Sequence, residues 1–263
     1  MIVKPGTQVS LKAIDPGDTG GYRSAEDVEK KLQLLLDELN QLQYLLNAES
    51  RYALLVILQG MDTSGKDGTI RSVMSGVSPL GVQVTAFKAP SEEELAHDFL
   101  WRVHQKVPRA GFIGIFNRSH YEDVLVVRVH DLVPRKVWKA RYDQINQFEK
   151  MLVKNRVVVL KFFLHISKAE QKKRLEDRLG DPTRYWKFSM KDVEERRFWP
   201  YYRKAYEDAL TSCSTKWAPW HIIPADKKWY RNLLVAETIV QTLRGLAMKF
   251  PEPAVEISKV VID

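Results

Sequence analysis

Only one cysteine, Cys213, occurs among 263 residues, so no disulfide can staple the fold within the chain. Apolar runs of membrane length are missing too: the stretch from Val157 to Leu164 is interrupted by Lys161, whereas a spanning helix needs about 20 apolar residues. No charged segment followed by an apolar one opens the chain. These absences lead to the expectation of a cytoplasmic protein with no membrane partner. The six histidines include no i, i+4 pair and have no cysteine partners, which argues against a zinc site. A Gly-x-Ser-x-Gly elbow is also lacking, and Cys213 has no evident activating neighbour, so covalent catalysis by Ser or Cys is not expected.

What the chain does have is positive charge. Forty-one Lys and Arg face 33 Asp and Glu, a formal net charge of +8, and the sequence pI is near 9.4. Such a field favours an anionic partner. Nucleic acid is the common choice, yet no recognisable nucleic-acid-binding motif is present, and a chain of phosphates meets the same field. The length suits one domain with embellishments, spanning 1–263.

The first 23 residues hold Pro5, Gly6, Pro16, Gly17, Gly20 and Gly21, which predicts an irregular arm lying over the domain. Ser24 reads as an N-cap, and Val28, Leu32, Leu35, Leu39, Leu42 and Leu46 recur at steps of three and four, the stripe of a long amphipathic helix. That stripe either packs on its own domain, the favoured reading, or pairs with a second subunit; a homo-oligomer is expected. From residue 53 onward, apolar runs near 53–59, 82–87, 111–116, 156–164 and 220–223 alternate with helical patterns. Unbroken apolar strands separated by crossover helices imply an α/β fold with a five-stranded parallel sheet covered on both faces. Its functional site belongs at the C-terminal ends of the strands.

The first of these strands feeds Gly60-Met61-Asp62-Thr63-Ser64-Gly65-Lys66-Asp67-Gly68-Thr69. Two glycines bracketing four residues, followed by lysine between a strand and a helix, form a phosphate-binding loop: its bare backbone N–H groups point at phosphate oxygens, and Lys66 adds a point charge. Asp67 stands where Ser or Thr is expected. Asp62 and Asp67 would repel a phosphate unless a cation lies between them, which points to Mg²⁺, with Mn²⁺ as a substitute, shared between carboxylates and phosphates. Asp62 is the first choice as metal ligand or substrate-orienting base. The third strand runs into Asn117-Arg118-Ser119-His120-Tyr121-Glu122-Asp123, where an acid is the usual strand-end residue and Asn117 is neutral. The planar fork of arginine suits phosphate, and the candidates are Arg118, Arg128 and Arg178. Residues 168–204 carry twelve Lys and Arg against seven Asp and Glu, reading as helix, turn at Gly180-Asp181-Pro182, and helix. Lys172, Lys173 and Arg174 are left to the general positive field.

Phosphoryl transfer follows, but the loop does not identify the donor. An ATP-dependent nucleoside or nucleotide kinase stays open. A non-catalytic polyanion-binding module is disfavoured, because simple binding gains nothing from two acids beside Lys66.

Taken together, Gly60 to Gly68, Asn117 to Glu122 and Asp181-Pro182-Thr183-Arg184-Tyr185-Trp186-Lys187-Phe188-Ser189 resemble the polyphosphate kinase 2 family, and the segment from Pro219 to Asn232 fits as well. The resemblance spans most of residues 30–245. It implies a P-loop kinase-like three-layer sandwich with a helical lid over 168–204, and a magnesium-dependent, reversible transfer from inorganic polyphosphate to AMP or ADP, giving ADP or ATP, with guanine nucleotides as further acceptors. It also implies that Asp62 and Lys66 are essential, that Arg118 and Arg178 hold phosphates, that Lys187 joins the phosphate-binding set of Gly60, Gly65, Asp67, Gly68, Thr69, Asn117 and Arg128, and that Glu122 joins Asp62 and Asp67 on the metal. Many members read Asp-Arg-Ser-x-Tyr-Asn where this chain has Asn117 and Glu122 at the two ends. The exchanged acid and amide look like the subgroup accepting both AMP and ADP.

Overall fold

The computed structural model describes residues 1–260 and 262. Five strands, β1 (Ala53–Gln59), β2 (Val82–Ala86), β3 (Ile113–Asn117), β4 (Val157–His165) and β5 (Trp220–Pro224), pair in the order β2-β3-β1-β4-β5. Every pairing is parallel, with Leu55 opposite Gly114 on one side and Val159 on the other. The expected strands are all present. The third begins two residues later than its apolar run because Gly111, at φ +83°, turns the chain into the sheet.

Central position explains the lack of alternation in β1, which is buried at all seven positions. Leu55 and Ile57 join one core, and Leu54, Val56 and Leu58 the other; a strand covered on both faces needs apolar side chains in both directions. The helices are α1 (Glu26–Glu49), α2 (Lys66–Val73), three single turns α3 (Glu92–Leu95), α4 (Trp101–His104) and α5 (Val126–Val129), then α6 (Arg135–Lys154), α7 (Lys168–Leu179), α8 (Met190–Glu195), α9 (Trp199–Ser212) and α10 (Lys228–Arg244). Helices α1, α2 and α10 cover one face of the sheet, and α6 and α9 the other. Among the described residues no helix is long and apolar enough to cross a membrane.

The leucine stripe of α1 is used inside the chain: Val28, Leu35, Leu39 and Leu46 are buried, and the helix lies along α10. It is therefore not a free seam for a second subunit. Ser24 does not cap the helix; instead the Asp27 carboxylate accepts from the N–H groups of Arg23 and Ser24, at 2.7 and 3.1 Å. An acid in the first turn thus satisfies backbone donors by reaching back.

The N-terminal arm does more than lie on the surface. Val3 N–H donates to Trp220 O and Ile222 N–H to Met1 O, both at 2.8 Å, so residues 1–3 cover the open edge of β5, which would otherwise be a template for foreign strands. The 168–204 segment is more broken than a helix, turn and helix. After α7 come a 3-10 turn at Pro182–Lys187, α8, and another 3-10 turn before α9. Asp181 and Ser189 accept from the N–H groups of Thr183 and Lys191, and Pro200 sits in the first turn of α9, so each piece carries its own start signal.

Candidate active site

Where β1 ends, the chain turns through Gly60 (φ +155°), Thr63 (φ +61°) and Gly65 (φ +97°) into α2. Side chains are excluded at both glycines. A Cβ at Gly60 would lie 2.7 Å from Leu164 O, and one at Gly65 would strike the Arg231 guanidinium. The Thr69 N–H bonds Gly65 O at 2.8 Å, so the N–H groups of the first turn, ahead of that bond, have no partner inside the helix and present a site for anions. Lys66 is buried and folds back, its Nζ donating to Gly60 O at 2.9 Å and Met61 O at 3.4 Å. Burial, then the nearby Arg118 charge, pushes its pKa below the ordinary lysine value.

The end of β3 meets this loop through two polar pairs. Asn117 Nδ2 donates to Asp67 Oδ1 at 2.7 Å, and Arg118 Nη2 to Asp62 Oδ1 at 2.8 Å. The first pair explains the neutral residue at 117: a carboxylate there would face Asp67 as a like charge, whereas the amide supplies a donor. Burial opposes the Arg118 charge, but Glu122 and Asp62 outweigh it and raise the guanidinium pKa.

Between loop, strand ends and the 168–204 segment lies a cleft of about 640 Å³, lined by nine Lys and Arg side chains and four aspartates. Asp62, Gly65, Lys66, Asp67, Gly68, Asn117, Arg118, Arg178 and Lys187 all line it. Arg178 is aimed by two bonds of 3.1 Å, to Lys187 O and Asp192 Oδ2. Burial, then the Asp62 charge, raises the pKa of Asp192.

Four expected residues do not line the cleft. Thr69 is buried and its hydroxyl donates to Gly65 O at 3.0 Å, so it braces the loop from within. Arg128 lies in a separate groove, paired with Asp208 at 2.8 Å and stacked over Trp138, because α5 turns it toward α9. Gly60 and Glu122 line a small neighbouring cavity of about 50 Å³ on the other side of Asp62 and Arg118. Asp62, Asp67 and Glu122 therefore do not converge, and among the described residues no three acidic, His or Cys side chains form a metal cage. The two aspartates facing the cleft fit Mg²⁺ differently: that ion binds one or two carboxylates together with substrate phosphates.

Other residues in the cleft carried no site role in the sequence reading, namely Lys88, Asp177, Arg184, Asp192 and Lys228; of these only Arg184, in the Asp181–Ser189 motif, and Lys228, in the Pro219–Asn232 segment, fell within quoted motifs. Arg174, which the sequence marks only as part of a general positive field, is a structural part of the site. Its Nη1 donates to Thr63 O at 2.9 Å and Ser64 O at 3.1 Å, and its Nε to Glu170 at 2.7 Å. Arg231 reaches Ser64 O at 3.3 Å, and burial, then Arg174, lowers its pKa to about 10. The two arginines grip the loop carbonyls and leave its N–H face toward the cleft. In sequence the only signal for Arg174 was its i, i+4 spacing from Glu170, which exposed helices also show.

A β2-β3-β1-β4-β5 parallel sheet with a glycine loop and lysine at the end of its central strand, beneath a basic helical segment, defines a P-loop kinase-like phosphotransferase. Residues 22–251 match the family model of polyphosphate kinase 2. The AMP/ADP-polyphosphate phosphotransferase of Meiothermus ruber is 53% identical over 262 residues, covering 99% of this chain and 98% of that protein. An ADP-polyphosphate phosphotransferase of Rhodopseudomonas palustris is 45% identical, over 88% of this chain and 84% of that one. The crystal structure of polyphosphate kinase 2 from Arthrobacter aurescens TC1 matches with a TM-score of 0.93 at 43% identity, covering 96% of this chain and 91% of that chain. This chain belongs to the polyphosphate kinase 2 family, enzymes that transfer phosphate between polyphosphate and nucleotides.

Proposed function

We propose that this chain moves phosphoryl groups reversibly between inorganic polyphosphate and adenine nucleotides, taking both AMP and ADP as acceptors. The observation that carries the reading is the two-walled cationic cleft: a glycine loop with Lys66 on one side and Arg178, Arg184 and Lys187 on the other. One anionic ligand would occupy one wall; a phosphate-bearing donor and a phosphate-bearing acceptor need both. The Asn117 and Glu122 arrangement and the name of the Meiothermus relative support AMP as well as ADP. Guanine nucleotides carry the same phosphates and are included as further acceptors.

The acceptor's terminal phosphate oxygen is the nucleophile, held at the α2 N-terminus, while Arg118, Arg178 and Lys187 hold the polyphosphate end in line with it. That oxygen is already ionised near neutral pH, so no strong base is required, and catalysis reduces to positioning and charge neutralisation. Lys66 exchanges its loop carbonyls for phosphate oxygens, and Asp62 orients rather than abstracts a proton. Asp62 and Asp67 would hold Mg²⁺, which would supply charge neutralisation for the donor and acceptor phosphates. Residues 1–263 act as one domain in which 168–204 is the lid that excludes water. A free, buried Cys213 suits a cytoplasmic setting, and exposed Leu34 and Tyr44 on α1 with Phe250 offer apolar surface for a homo-oligomer.

Donor exchange tests the reading. Purified protein with Mg²⁺, polyphosphate and AMP, ADP, GMP or GDP should form higher nucleotides in the absence of ATP, as followed by ion-exchange chromatography. EDTA should stop the reaction and excess Mg²⁺ restore it, and Lys66→Ala should abolish it. Turnover with ATP as the only effective donor would instead establish an ATP-dependent nucleotide kinase.

A further inference from the structure

Beneath the cleft, on the α6 side of the sheet, lies a buried polar network that the transfer chemistry does not use. Lys161 on β4 and Glu149 on α6 are both fully buried and paired at 2.5 Å. The Lys161 Nζ also donates to Tyr121 Oη at 2.9 Å and Cys213 O at 2.6 Å. Tyr121 O–H donates to Glu149 Oε1 at 2.8 Å, and His120 Nε2 lies 3.3 Å from the same oxygen. The Tyr121 ring meets Trp220 edge-on at 4.7 Å. Four charged or polar side chains thus converge where burial is expensive, since an ion pair taken out of water recovers its desolvation cost only with near-ideal partners. An apolar set of the same volume would serve the core equally well.

What this network touches is the turn that carries Arg118. Arg118 is a non-glycine residue at φ +63°, a conformation that costs roughly 1 to 2 kcal/mol and persists only where the surroundings over-determine it. On its N-terminal side the backbone is pinned by Arg118 N–H to Leu58 O at 3.1 Å. On its C-terminal side Ser119 is fully buried, and its Oγ accepts from the Tyr121 N–H and from Gln59 Nε2, each at 3.2 Å. Tyr121 is in turn tied at its far end to Glu149 and Lys161. The Arg118 side chain itself is 44% exposed, and among the described residues its tip bonds only Asp62, so its aim depends on its backbone.

We infer that Tyr121, Glu149 and Lys161 are positioning residues: they lock the left-handed turn at 118 and so aim the Arg118 guanidinium into the cleft. This rests on the reading that Arg118 holds the transferring phosphate. Loss of the network should leave substrates able to bind while the guanidinium points elsewhere, lowering kcat more than it raises KM. A displacement near 1 Å costs up to about 100-fold in rate.

A double-mutant cycle tests this with the full-length protein. Tyr121→Phe keeps the ring against Trp220 and deletes only the bridging hydroxyl; kcat for polyphosphate-driven ADP phosphorylation should fall about tenfold, with KM for polyphosphate changed less than about twofold. In an Arg118→Ala background the same substitution should have no further effect on kcat. An equal loss in both backgrounds, or no loss in the wild-type background while Arg118→Ala is impaired, overturns the positioning role. Normal kcat in Arg118→Ala itself would instead show that the assignment of Arg118 to the phosphate is wrong, a separate failure. The paired swap Glu149→Met with Lys161→Met removes both charges together, avoids stranding either one, and should reproduce the kcat loss in protein that unfolds cooperatively; wild-type kcat in that variant also overturns the proposal.

Discussion

Gly65, at the end of the loop, and Gly68, in the first turn of α2, stand three residues apart and make different demands. A Cβ at Gly65 would occupy the space of the Arg231 guanidinium, and φ there is +97°, whereas a Cβ at Gly68 would find its nearest neighbour, Arg231 Nη2, at 3.6 Å with ordinary helical backbone. Gly65→Ala must therefore displace either the loop or the arginine that grips it. We expect that variant to lose transfer by about 100-fold or more and to unfold at lower temperature, since left-handed strain alone costs roughly 1 kcal/mol. Gly68→Ala should match or slightly exceed wild-type stability, gaining up to about 1 kcal/mol of helix propensity. Thermal unfolding of the two variants side by side checks both. The loop glycines were legible in sequence because their spacing is a backbone requirement. Asn117 was not: its neutrality looked like a missing acid until the fold set it 2.7 Å from Asp67.

At the scale of elements, β5 and the N-terminal arm form a unit whose stability depends on pH. His221, on β5, is buried beneath the arm, and burial, then the positive N-terminus, lowers its pKa to about 4. Folding thus favours the neutral ring relative to its unfolded value near 6.5. The stabilisation is fully present above that value and is lost as pH falls toward 4, by up to about 2 to 3 kcal/mol. His120 and His165 are also lowered, by burial foremost, and act with the same sign. Urea unfolding of wild type should show a steep stability loss between about pH 6.5 and 4, and His221→Gln should make that loss shallower. The α1 stripe was readable from its period, but its partner was not, because a heptad-like seam looks the same whether it meets α10 or another chain. Over 168–204 the charge pattern suggests only two helices, because it is silent about the caps at Asp181 and Ser189 that divide the segment.

For the molecule as a whole, net charge and site charge have one sign. The chain carries a formal +8, and its cleft brings together nine cations and only four carboxylates, so long-range attraction should dominate capture of the longer anion. KM for polyphosphate should rise at least about tenfold as salt is raised from about 0.05 to 0.5 M, while KM for AMP, with far fewer charges, should change much less. Initial rates across a salt series decide this; parallel changes for both substrates would place the screening elsewhere than in polyphosphate capture.

The sequence by itself determined the alternation of strands and helices, the phosphate loop and the basic character of the ligand site. These depend on properties each segment carries alone: apolar periodicity, backbone freedom at glycine, and composition. Only the tertiary structure decided which cations meet. Arg174 and Lys172 lie two residues apart, yet Lys172 is solvated beside Glu176 and Arg174 is buried against loop carbonyls more than 100 positions away. Arg128, equally basic, turns to Asp208 instead. Charge acts through space and carries no address along the chain, so its partners exist only once the sheet has brought distant loops to one edge.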